Sequence, residues 1–240
     1  RSRRKLDLDP EIARVGSILA EQTGKEINID AAMKICQAYQ LPVANYCIAA
    51  NSTEAIQFAQ QTGYPVAIKI AGKGSIHKTD VGGVALNLKN ENEIKQALEK
   101  IDQNLLAHGI LESSAYLVQK MVLGSKEIII GGKQDPSFGP IILCGLGGIY
   151  AEVLKDINIK MAPIHLEEAR EMLLNLKGYP YLTGVRGEES VDIEGLAHIL
   201  VRVAQLMVDF PNIVELDLNP VLATQDQAVI VDVRMIREVS

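Results

Sequence analysis

One apolar run with a lysine in its middle constrains this chain more than any other segment. Residues 65–70 read Pro-Val-Ala-Ile-Lys-Ile, a composition typical of a buried β-strand. A lysine inside such a strand is costly unless an anion meets its ammonium group. Lys69 therefore predicts an anion-binding position on this strand. The structural alternative is a lysine whose apolar stem follows the strand while its ammonium group reaches solvent.

The loop that follows this strand has a composition suited to phosphate chemistry. It contains glycines at 72 and 74, then His77-Lys78-Thr79-Asp80, then the pair Gly82-Gly83. A flexible glycine-rich backbone can present N–H groups to an anion, and an imidazole can accept a transferred group near neutral pH. His77 thus becomes a candidate catalytic residue, with a surface histidine as the alternative. The three other histidines lie at or within predicted helices, where a structural or solvated role is the simplest interpretation.

The bulk composition excludes several classes of protein. The 240 residues are 48% hydrophobic, as in an ordinary globular protein, and no run approaches the roughly 20 apolar residues of a membrane span. A net charge of −6 argues against a nucleic-acid-binding protein. Three isolated cysteines and the lack of a signal-peptide pattern favour a cytoplasmic protein with reduced thiols. The basic opening without Met is interpreted as part of a longer polypeptide, with an exposed basic arm as the alternative.

Helical and strand-like patterns alternate along the chain. Turn-forming and capping residues separate them. The predicted helices cover 10–23, 30–39 with Asp30 as N-cap, 52–63, 91–108, 165–177 and 192–209. The predicted strands cover 41–49, 65–70, 84–88, 116–122, 127–131, 140–144, 149–154, 159–162, 213–218 and 228–233, the last two as a hairpin.

This element order predicts an α+β protein built from two α/β lobes. An N-terminal arm and linker helix cover 1–28, and a small lobe covers 29–113, with 114–122 as a crossing strand. A large lobe covers 114–240, where strands dominate. Ligand sites in such arrangements are expected in the cleft between the lobes.

A second constellation lies near the C-terminus. Glu215, Asp217 and Asn219 alternate along a predicted strand, so their side chains share one face. Asp232 lies in an apolar run on the next strand and completes the set. Oxygen ligands of this kind suit Mg²⁺, which binds phosphates through one or two carboxylates. The alternative is an edge strand whose acids face solvent.

Two further segments carry weaker signals. Residues 116–127 form an apolar strand, a turn and a second strand, which by themselves predict only a hairpin. Residues 145–148 read Gly-Leu-Gly-Gly, with Glu152 nearby. This run is not the dinucleotide fingerprint, because its spacing differs and no helix follows it.

Together these segments resemble the ATP-grasp domain of ADP-forming acyl-CoA (acetyl-CoA) synthetases, the superfamily that includes succinyl-CoA synthetase. The resemblance extends over nearly the whole chain from about Ile29. It is carried by Gly63-Tyr64-Pro65-Val66 with Lys69, Ile76-His77-Lys78-Thr79-Asp80-Val81-Gly82-Gly83-Val84, Phe138-Gly139-Pro140, Gly145-x-Gly147-Gly148 with Glu152, and Asp217-Leu218-Asn219-Pro220.

The resemblance implies roles for individual residues. It implies that Lys69 holds the ATP phosphates and that His77 relays a phosphoryl group between ATP and a histidine of the partner domain. The remaining implied positions form two sets, an adenine and ribose set and a metal set. The first set is Gln119, Met121, Val122 and Glu127, in which Met121 and Val122 match the hinge whose backbone contacts adenine and Glu127 matches a ribose partner. The second set is Asn219 and Asp232 as the Mg²⁺ pair, with Asp217 two residues before Asn219.

One implied position departs from the family. Lys160 stands where the family frequently has arginine. Its ammonium group is a point charge and cannot form the bidentate contact with phosphate that a guanidinium group forms. A second departure is Gly72-Lys73-Gly74, where the family commonly has Ser-Pro-Asp.

The function implied by the resemblance is phosphoryl transfer between Mg-ATP or Mg-ADP and a histidine. ATP/ADP and Mg²⁺ are the implied cofactors, and the CoA-binding and ligase domains are the implied partners, in an α subunit or the rest of a fused chain. Two alternatives stay open at this point. One is a non-catalytic regulatory domain of a fused protein acetyltransferase, and the other is a biotin- or amino-acid-ligase ATP-grasp domain.

Overall fold

The structure is a computed structural model, and it describes residues 10–71, 81–109, 115–148, 156–184 and 189–239. The chain divides into two units. The larger unit comprises Arg1–Val43 and Gly124–Ser240, and the smaller unit comprises Ala44–Leu123. Both units combine helices with antiparallel sheet, so the predicted α+β class is confirmed.

The smaller unit is a four-stranded antiparallel sheet covered by two helices. Its strands stand in the order β1-β4-β2-β3. Their bounds are β1 Tyr46–Ala49, β2 Val66–Ile70, β3 Val84–Leu88 and β4 Tyr116–Lys120, and the helices are α3 Ser52–Thr62 and α4 Glu91–Ala107. Alternate strand residues such as Ile68 and Val118 form a buried core with α3 and α4.

Asparagine side chains begin both helices of the smaller unit. Asn51 accepts a hydrogen bond from the Glu54 amide, and Asn90 accepts one from the Glu93 amide. These bonds satisfy amide groups that the first turn of a helix leaves without an internal partner. Gly63 ends α3 with φ +84°, a conformation that glycine adopts at low cost.

The larger unit contains a second antiparallel sheet with strand order β10-β8-β5-β6-β7, and β9 pairs with β8. The neighbours along this path are hydrogen-bonded, and β5 and β6 share the longest ladder. The strand bounds are β5 Lys126–Asp135, β6 Gly139–Leu146, β7 Ile157–Met161, β8 Ile213–Ala223, β9 Ala228–Ile230 and β10 Arg234–Arg237.

Helices cover one face of this sheet. The helices of the larger unit are α1 Ile12–Glu21, α2 Ile29–Ala38, α5 Leu166–Leu174, α6 Tyr179–Thr183 and α7 Ile193–Asp209. Gln134 on β5 donates its side-chain amide to the Met207 carbonyl of α7 at 2.7 Å. The face that Gln134 shares with Ile130 and Ile142 is called the helix face below, and the opposite face is called the second face.

Several predicted boundaries were wrong. Asp30 is not the N-cap of α2, because the Asn28 side chain accepts from the Ala31 amide and Asp30 lies in the first turn. The strand predicted over 41–49 is only Tyr46–Ala49, since Val43 instead forms a bridge to Ile230 within the larger unit. The helix predicted over 165–177 ends at Leu174. The strand predicted over 149–154 lies outside the described residues.

The division into units also differs from the predicted boundary at 28/29. Residues 29–43 group with the larger unit, because α2 packs against α1 and β10. The Ile27 amide donates to the Met235 carbonyl just before this segment, and the Ile230 amide donates to the Pro42 carbonyl near its end, which ties both ends to the same unit. The lobe boundaries taken from the sequence stay a prediction.

No helix in the described part of the chain combines the length and the apolar character that crossing a bilayer requires.

The packing at Gly145 generates a stability prediction. A Cβ at this position would lie 2.7 Å from the backbone oxygen of Asp156, closer than real Cβ atoms approach. We expect Gly145→Ala to lower the free energy of unfolding by about 1–3 kcal/mol, because a backbone atom cannot move aside cheaply. Chemical denaturation monitored by circular dichroism measures this difference.

The matched control is Gly16→Ala in α1, where a Cβ would have no atom within 4 Å. Alanine exceeds glycine in helix propensity by about 1 kcal/mol, so this variant should be at least as stable as the unmodified chain. Equal effects of the two substitutions would contradict the tight packing at Gly145.

Candidate functional site

Lys69 and Gln119 lie close together in the sheet of the smaller unit. Lys69 pairs with Leu117 on β4, and Gln119 pairs with Ala67 on β2. These four side chains alternate with the core residues of the same strands and therefore share the face opposite α3 and α4. Lys69 is 8% exposed and Gln119 is 2% exposed. The sequence thus predicted correctly that Lys69 is a buried cation on a strand.

Gln119 carries a buried donor that lacks a partner. Its Nε2 atom is buried and has no hydrogen-bond partner in the part of the chain that the structure describes. Buried amide groups are normally satisfied, so an orphan of this kind indicates a bound group. An acceptor atom of a nucleotide would satisfy it, and the buried ammonium group one diagonal step away suits an anion.

The predicted adenine hinge at Met121 and Val122 directly follows β4. The Met121 amide donates to the Pro65 carbonyl at 3.2 Å, and the Met121 sulfur accepts from the Asn87 amide at 3.0 Å. The Met121 N–H is thus already bonded within the protein. Its carbonyl oxygen is the backbone group that Met121 can offer to a base.

The acidic strand β8 runs through the Asn-Pro pair instead of ending there. Ile128 of β5 pairs with Val221, and Ile130 pairs with Leu218, so Asn219 and Pro220 together oppose one residue of β5. This irregularity is a β-bulge, which tolerates a residue without an N–H in an interior strand. The predicted end of the strand at Leu218 was therefore wrong, and the partner predicted as one strand over 228–233 is divided into β9 and β10.

The hairpin places Asn219 opposite Asp232. Val221 pairs with Ile230 on one side of the bulge, and Asp217 pairs with Arg234 on the other. Continuing either ladder by two residues brings Asn219 and Asp232 into register. The Val231 amide donates to the Pro220 carbonyl at 3.3 Å, which holds the intervening residues together. The structure thus brings Asp217, Asn219 and Asp232 to one section of the hairpin.

The charges around Asp217 are unevenly balanced. Burial raises the pKa of Asp217, and the neighbouring carboxylates Glu215 and Asp232 raise it further, while Arg234 lowers it. Arg234 also forms ion pairs with Glu215 at 3.1 Å and with Glu26 at 3.6 Å. The protein thus places one guanidinium group among several carboxylates. Sequence reasoning assigned no role to Arg234, although its place two residues after Asp232 on the hairpin was a usable signal.

The donor chemistry of this section fits a hard divalent cation that is shared with other ligands. The described residues contain no group of three or more His, Cys, Asp or Glu side chains arranged to hold a metal ion. Two carboxylates and one amide oxygen are, however, the oxygen donors that Mg²⁺ uses together with phosphates and waters. Asp217, Asn219 and Asp232 therefore fit Mg²⁺ as partial ligands.

Glu127, the predicted ribose partner, lies beside the glycine pair that follows β6. The Gly147 amide donates to the Glu127 carbonyl at 2.7 Å. A Cβ at Gly147 would lie 2.9 Å from the Glu127 Cβ, and Gly148 has φ +59°. The weak glycine run therefore has a structural reason, because only glycine permits this close approach. Glu127 is exposed on the second face.

Lys160 is not brought to the acidic strand. It pairs with Ile142, so its side chain is on the helix face of the larger sheet. Its ammonium group lies 3.0 Å from Glu171 and 3.8 Å from Glu168, both on α5. These ion pairs explain its position, and its predicted role towards phosphate stays a prediction.

The predicted catalytic residue His77 lies outside the described residues, as do Gly72, Gly74 and Glu152.

Comparisons with known proteins identify relatives over nearly the whole chain. The ATP-grasp domain family profile matches residues 18–236. The β subunit of ADP-forming acetate–CoA ligase I from Pyrococcus furiosus is 42% identical over 206 residues, which cover 85% of this chain and 89% of that subunit. ADP-forming acetate–CoA ligase I from Archaeoglobus fulgidus is 41% identical over 244 residues, which cover 98% of this chain and 35% of that protein. The chain thus spans most of a β subunit but about a third of a longer relative.

A solved structure shows the same fold. An acetyl-coenzyme A synthetase chain from Candidatus Korarchaeum cryptofilum superposes with a TM-score of 0.82 at 34% identity, covering 95% of this chain and 100% of that chain. That structure is a complex with coenzyme A and Mg-AMPPCP, and its phosphohistidine segment points towards the nucleotide-binding site. The predicted ATP-grasp fold is therefore confirmed.

The charge balance at Asp217 predicts a pH-dependent gain in stability for Asp217→Asn in metal-free buffer. Because its folded-state pKa is raised, the ionised carboxyl is unfavourable at neutral pH. Asparagine should increase the free energy of unfolding at pH 7 by up to about 1 kcal/mol, the scale of like-charge repulsion between neighbouring strands.

The gain should shrink as the pH falls through the folded-state pKa towards the ordinary aspartate value near 3.9, because the carboxyl then becomes neutral in both states. Urea denaturation at several pH values in EDTA measures this trend. Asp226→Asn in the exposed hairpin turn is the control, and a gain for Asp217→Asn that does not vary with pH would contradict the interpretation.

Proposed function

The chain belongs to the ATP-grasp domain family, and on that premise we propose that it is the nucleotide-binding module of an ADP-forming acyl-CoA synthetase. In this role it transfers a phosphoryl group between Mg-ATP or Mg-ADP and a histidine. The complete reaction converts acyl-CoA, ADP and phosphate into the acid, ATP and CoA, and it is reversible. This chain supplies the nucleotide half of that reaction.

One observation carries the proposal. Lys69 and Gln119 are buried on the same face of one sheet, and the Gln119 amide lacks a partner among the described residues. A buried donor without a partner costs free energy that a bound acceptor would recover. A nucleotide would offer an acceptor atom to Gln119, and its phosphates would suit the positive charge of the neighbouring Lys69.

The acidic hairpin supports a metal-binding role for the larger unit. Asp217, Asn219 and Asp232 would hold Mg²⁺ jointly with the nucleotide phosphates, since Mg²⁺ keeps waters and shares ligands. Bound there, the ion would supply positive charge to the phosphates of the transferred group. Glu127 and the Met121 carbonyl are the proposed contacts to the ribose and the base.

His77 is the proposed phosphoryl acceptor. A neutral imidazole nitrogen attacks the γ-phosphorus, the bond from phosphorus to the β,γ-bridging oxygen breaks, and ADP leaves with that electron pair. The imidazole loses its remaining ring proton to solvent, and the phosphoryl group then passes to a histidine of the partner. Lys69 binds and orients the phosphates throughout.

The partner is the CoA-binding and ligase module of the same synthetase. Support comes from relatives of two kinds, a β subunit that this chain nearly spans and a longer protein of which it spans 35%. The acyl transfer chemistry belongs to that module.

A substitution of Lys69 tests the nucleotide site. We expect Lys69→Met to weaken ATP binding by about tenfold to a hundredfold, because a charge-assisted hydrogen bond contributes about 1.5–3 kcal/mol. Adenosine binding should change less than twofold, since adenosine has no phosphate. Calorimetric titration measures both, and Lys100→Met on the exposed side of α4 is the control. Equal losses for ATP and adenosine would show that Lys69 is not the phosphate contact.

A substitution of His77 tests the transfer step. We expect His77→Ala to keep nucleotide affinity while abolishing phosphoryl transfer to the partner module. The measurement is acid-labile ³²P incorporation from γ-labelled ATP with the partner module present. The control is His108→Ala at the exposed end of α4. Labelling of the partner at the unmodified rate in His77→Ala would indicate direct transfer from ATP to the partner histidine.

A further inference from the structure

The short strand β7 has an inverted polarity pattern. Ile157, Ile159 and Met161 are 58%, 50% and 61% exposed, while Asn158 and Lys160 alternate with them and are half-buried. A sheet with helices on one face normally turns apolar residues towards the helices and polar residues towards solvent. Here Lys160 points to α5 and the three apolar side chains are on the second face. Exposed apolar rows of this kind indicate an interaction surface.

The exposed row belongs to a larger apolar surface. Met161 pairs with Ile141 and Ile159 pairs with Leu143, and both partners on β6 are half-buried on the same face. Phe138, in the turn between β5 and β6, is 67% exposed.

This phenylalanine is held in place, and a cavity adjoins it. The Asp135 carboxylate accepts hydrogen bonds from the Ser137 and Phe138 amides at 2.8 and 3.0 Å, which fixes the turn. A cavity of about 540 Å³ lies at the border of the sheet beside Phe138 and Met161, and Lys160, His165 and Glu168 line its side towards α5. Such a concave site next to a flat apolar row can accept an anchoring side chain of a partner.

We propose that the β7 patch, formed by Phe138, Ile157, Ile159 and Met161, is the docking surface for the CoA-binding and ligase module. The inference rests on the proposed function, because that function requires a phosphoryl acceptor from another module. The β7 patch is the surface of this chain on which that acceptor module would bind.

The position of the patch favours this occupant. The three β7 residues of the patch and the acids Glu215 and Asp217 of β8 are on the second face of one sheet, separated by β5 and β6. Three strand spacings correspond to about 14 Å. An extended segment of about four or five residues spans that distance. A module docked on β7 can therefore deliver a histidine to the metal ligands while the rest of the module stays bound.

The length of a relative and the net charge of this chain also favour this occupant over a second copy of the chain. The longer relative holds about two thirds of its length outside the part that this chain matches, so a companion module of sufficient size exists there. Two copies stacked through the same face would bring together chains of net charge −6 and would cover the acidic strand of each.

The test compares two isoleucine substitutions of matched exposure. Ile159 is 50% exposed in the β7 patch, and Ile12 is 51% exposed on α1. The probe is the CoA-binding and ligase module of the same synthetase, produced as a separate polypeptide. We expect Ile159→Lys to weaken association with the probe at least tenfold in analytical ultracentrifugation, whereas Ile12→Lys should bind like the unmodified chain.

A second measurement does not depend on the variants. Hydrogen–deuterium exchange of the unmodified chain should show protection of the amides of 157–161 when the probe is added. Full association of Ile159→Lys together with unchanged exchange at 157–161 would overturn the proposal. A concentration-dependent dimer of the chain alone that Ile159→Lys dissociates would also overturn it, in favour of a second copy.

Nucleotide binding separates this proposal from the proposed function. Ile159→Lys should bind Mg-ATP as the unmodified chain does, because β7 is three strands away from β8. Loss of probe binding with intact nucleotide binding supports the docking surface. An unmodified chain that binds no nucleotide refutes the proposed function, and the exchange measurement then decides on the docking surface by itself.

Discussion

The arrangement of the larger unit depends on how its interior strand β8 accommodates Pro220. This strand pairs with β5 on one side and with β9 and β10 on the other, and proline has no N–H to donate to either ladder. The bulge opposite β5 resolves the conflict by adding one residue at Asn219-Pro220. The same bulge reverses which alternate residues are buried, from Leu218 before it to Val221 after it. Asn219 is exposed at this point and faces Asp232 across the hairpin, so a backbone constraint positions the proposed metal ligands.

The elements with strong local signals could be predicted from the sequence. Asn51, Asn90 and Gly63 define helix ends through side-chain hydrogen bonds and backbone conformation, which are local effects. Boundaries set by distant contacts could not be predicted in this way. Asn28 replaces Asp30 as the cap of α2 because a long-range hydrogen bond from Ile27 to Met235 sets where the chain enters the helix. The extension of β8 beyond Leu218 likewise depends on its pairing with β5 and β9, which no local pattern reveals.

The site was predictable where residue chemistry and strand periodicity agreed. Lys69 was identifiable because a cation inside an apolar strand needs an anion, and the structure shows that it is buried beside Gln119. Lys160 shows the limit of the same reasoning. Its strand alternates apolar and polar residues, but the polar set faces the helices, where Glu168 and Glu171 neutralise the lysine. Sequence periodicity predicts which residues share a face and cannot by itself tell which face meets the helices.

The two units differ in the charged groups that they present. The smaller unit presents a buried cation and an orphan donor on one sheet face, which suits the phosphates and polar atoms of a nucleotide. In the larger unit, burial and then repulsion from neighbouring carboxylates raise the pKa of Asp217, and Arg234 lowers it only in part. Such a group gains from a divalent cation, and a cation held by few protein ligands gains in turn from phosphate oxygens. In the proposed function, a bound nucleotide would therefore supply phosphate oxygens to a cation that the larger unit holds through few ligands of its own.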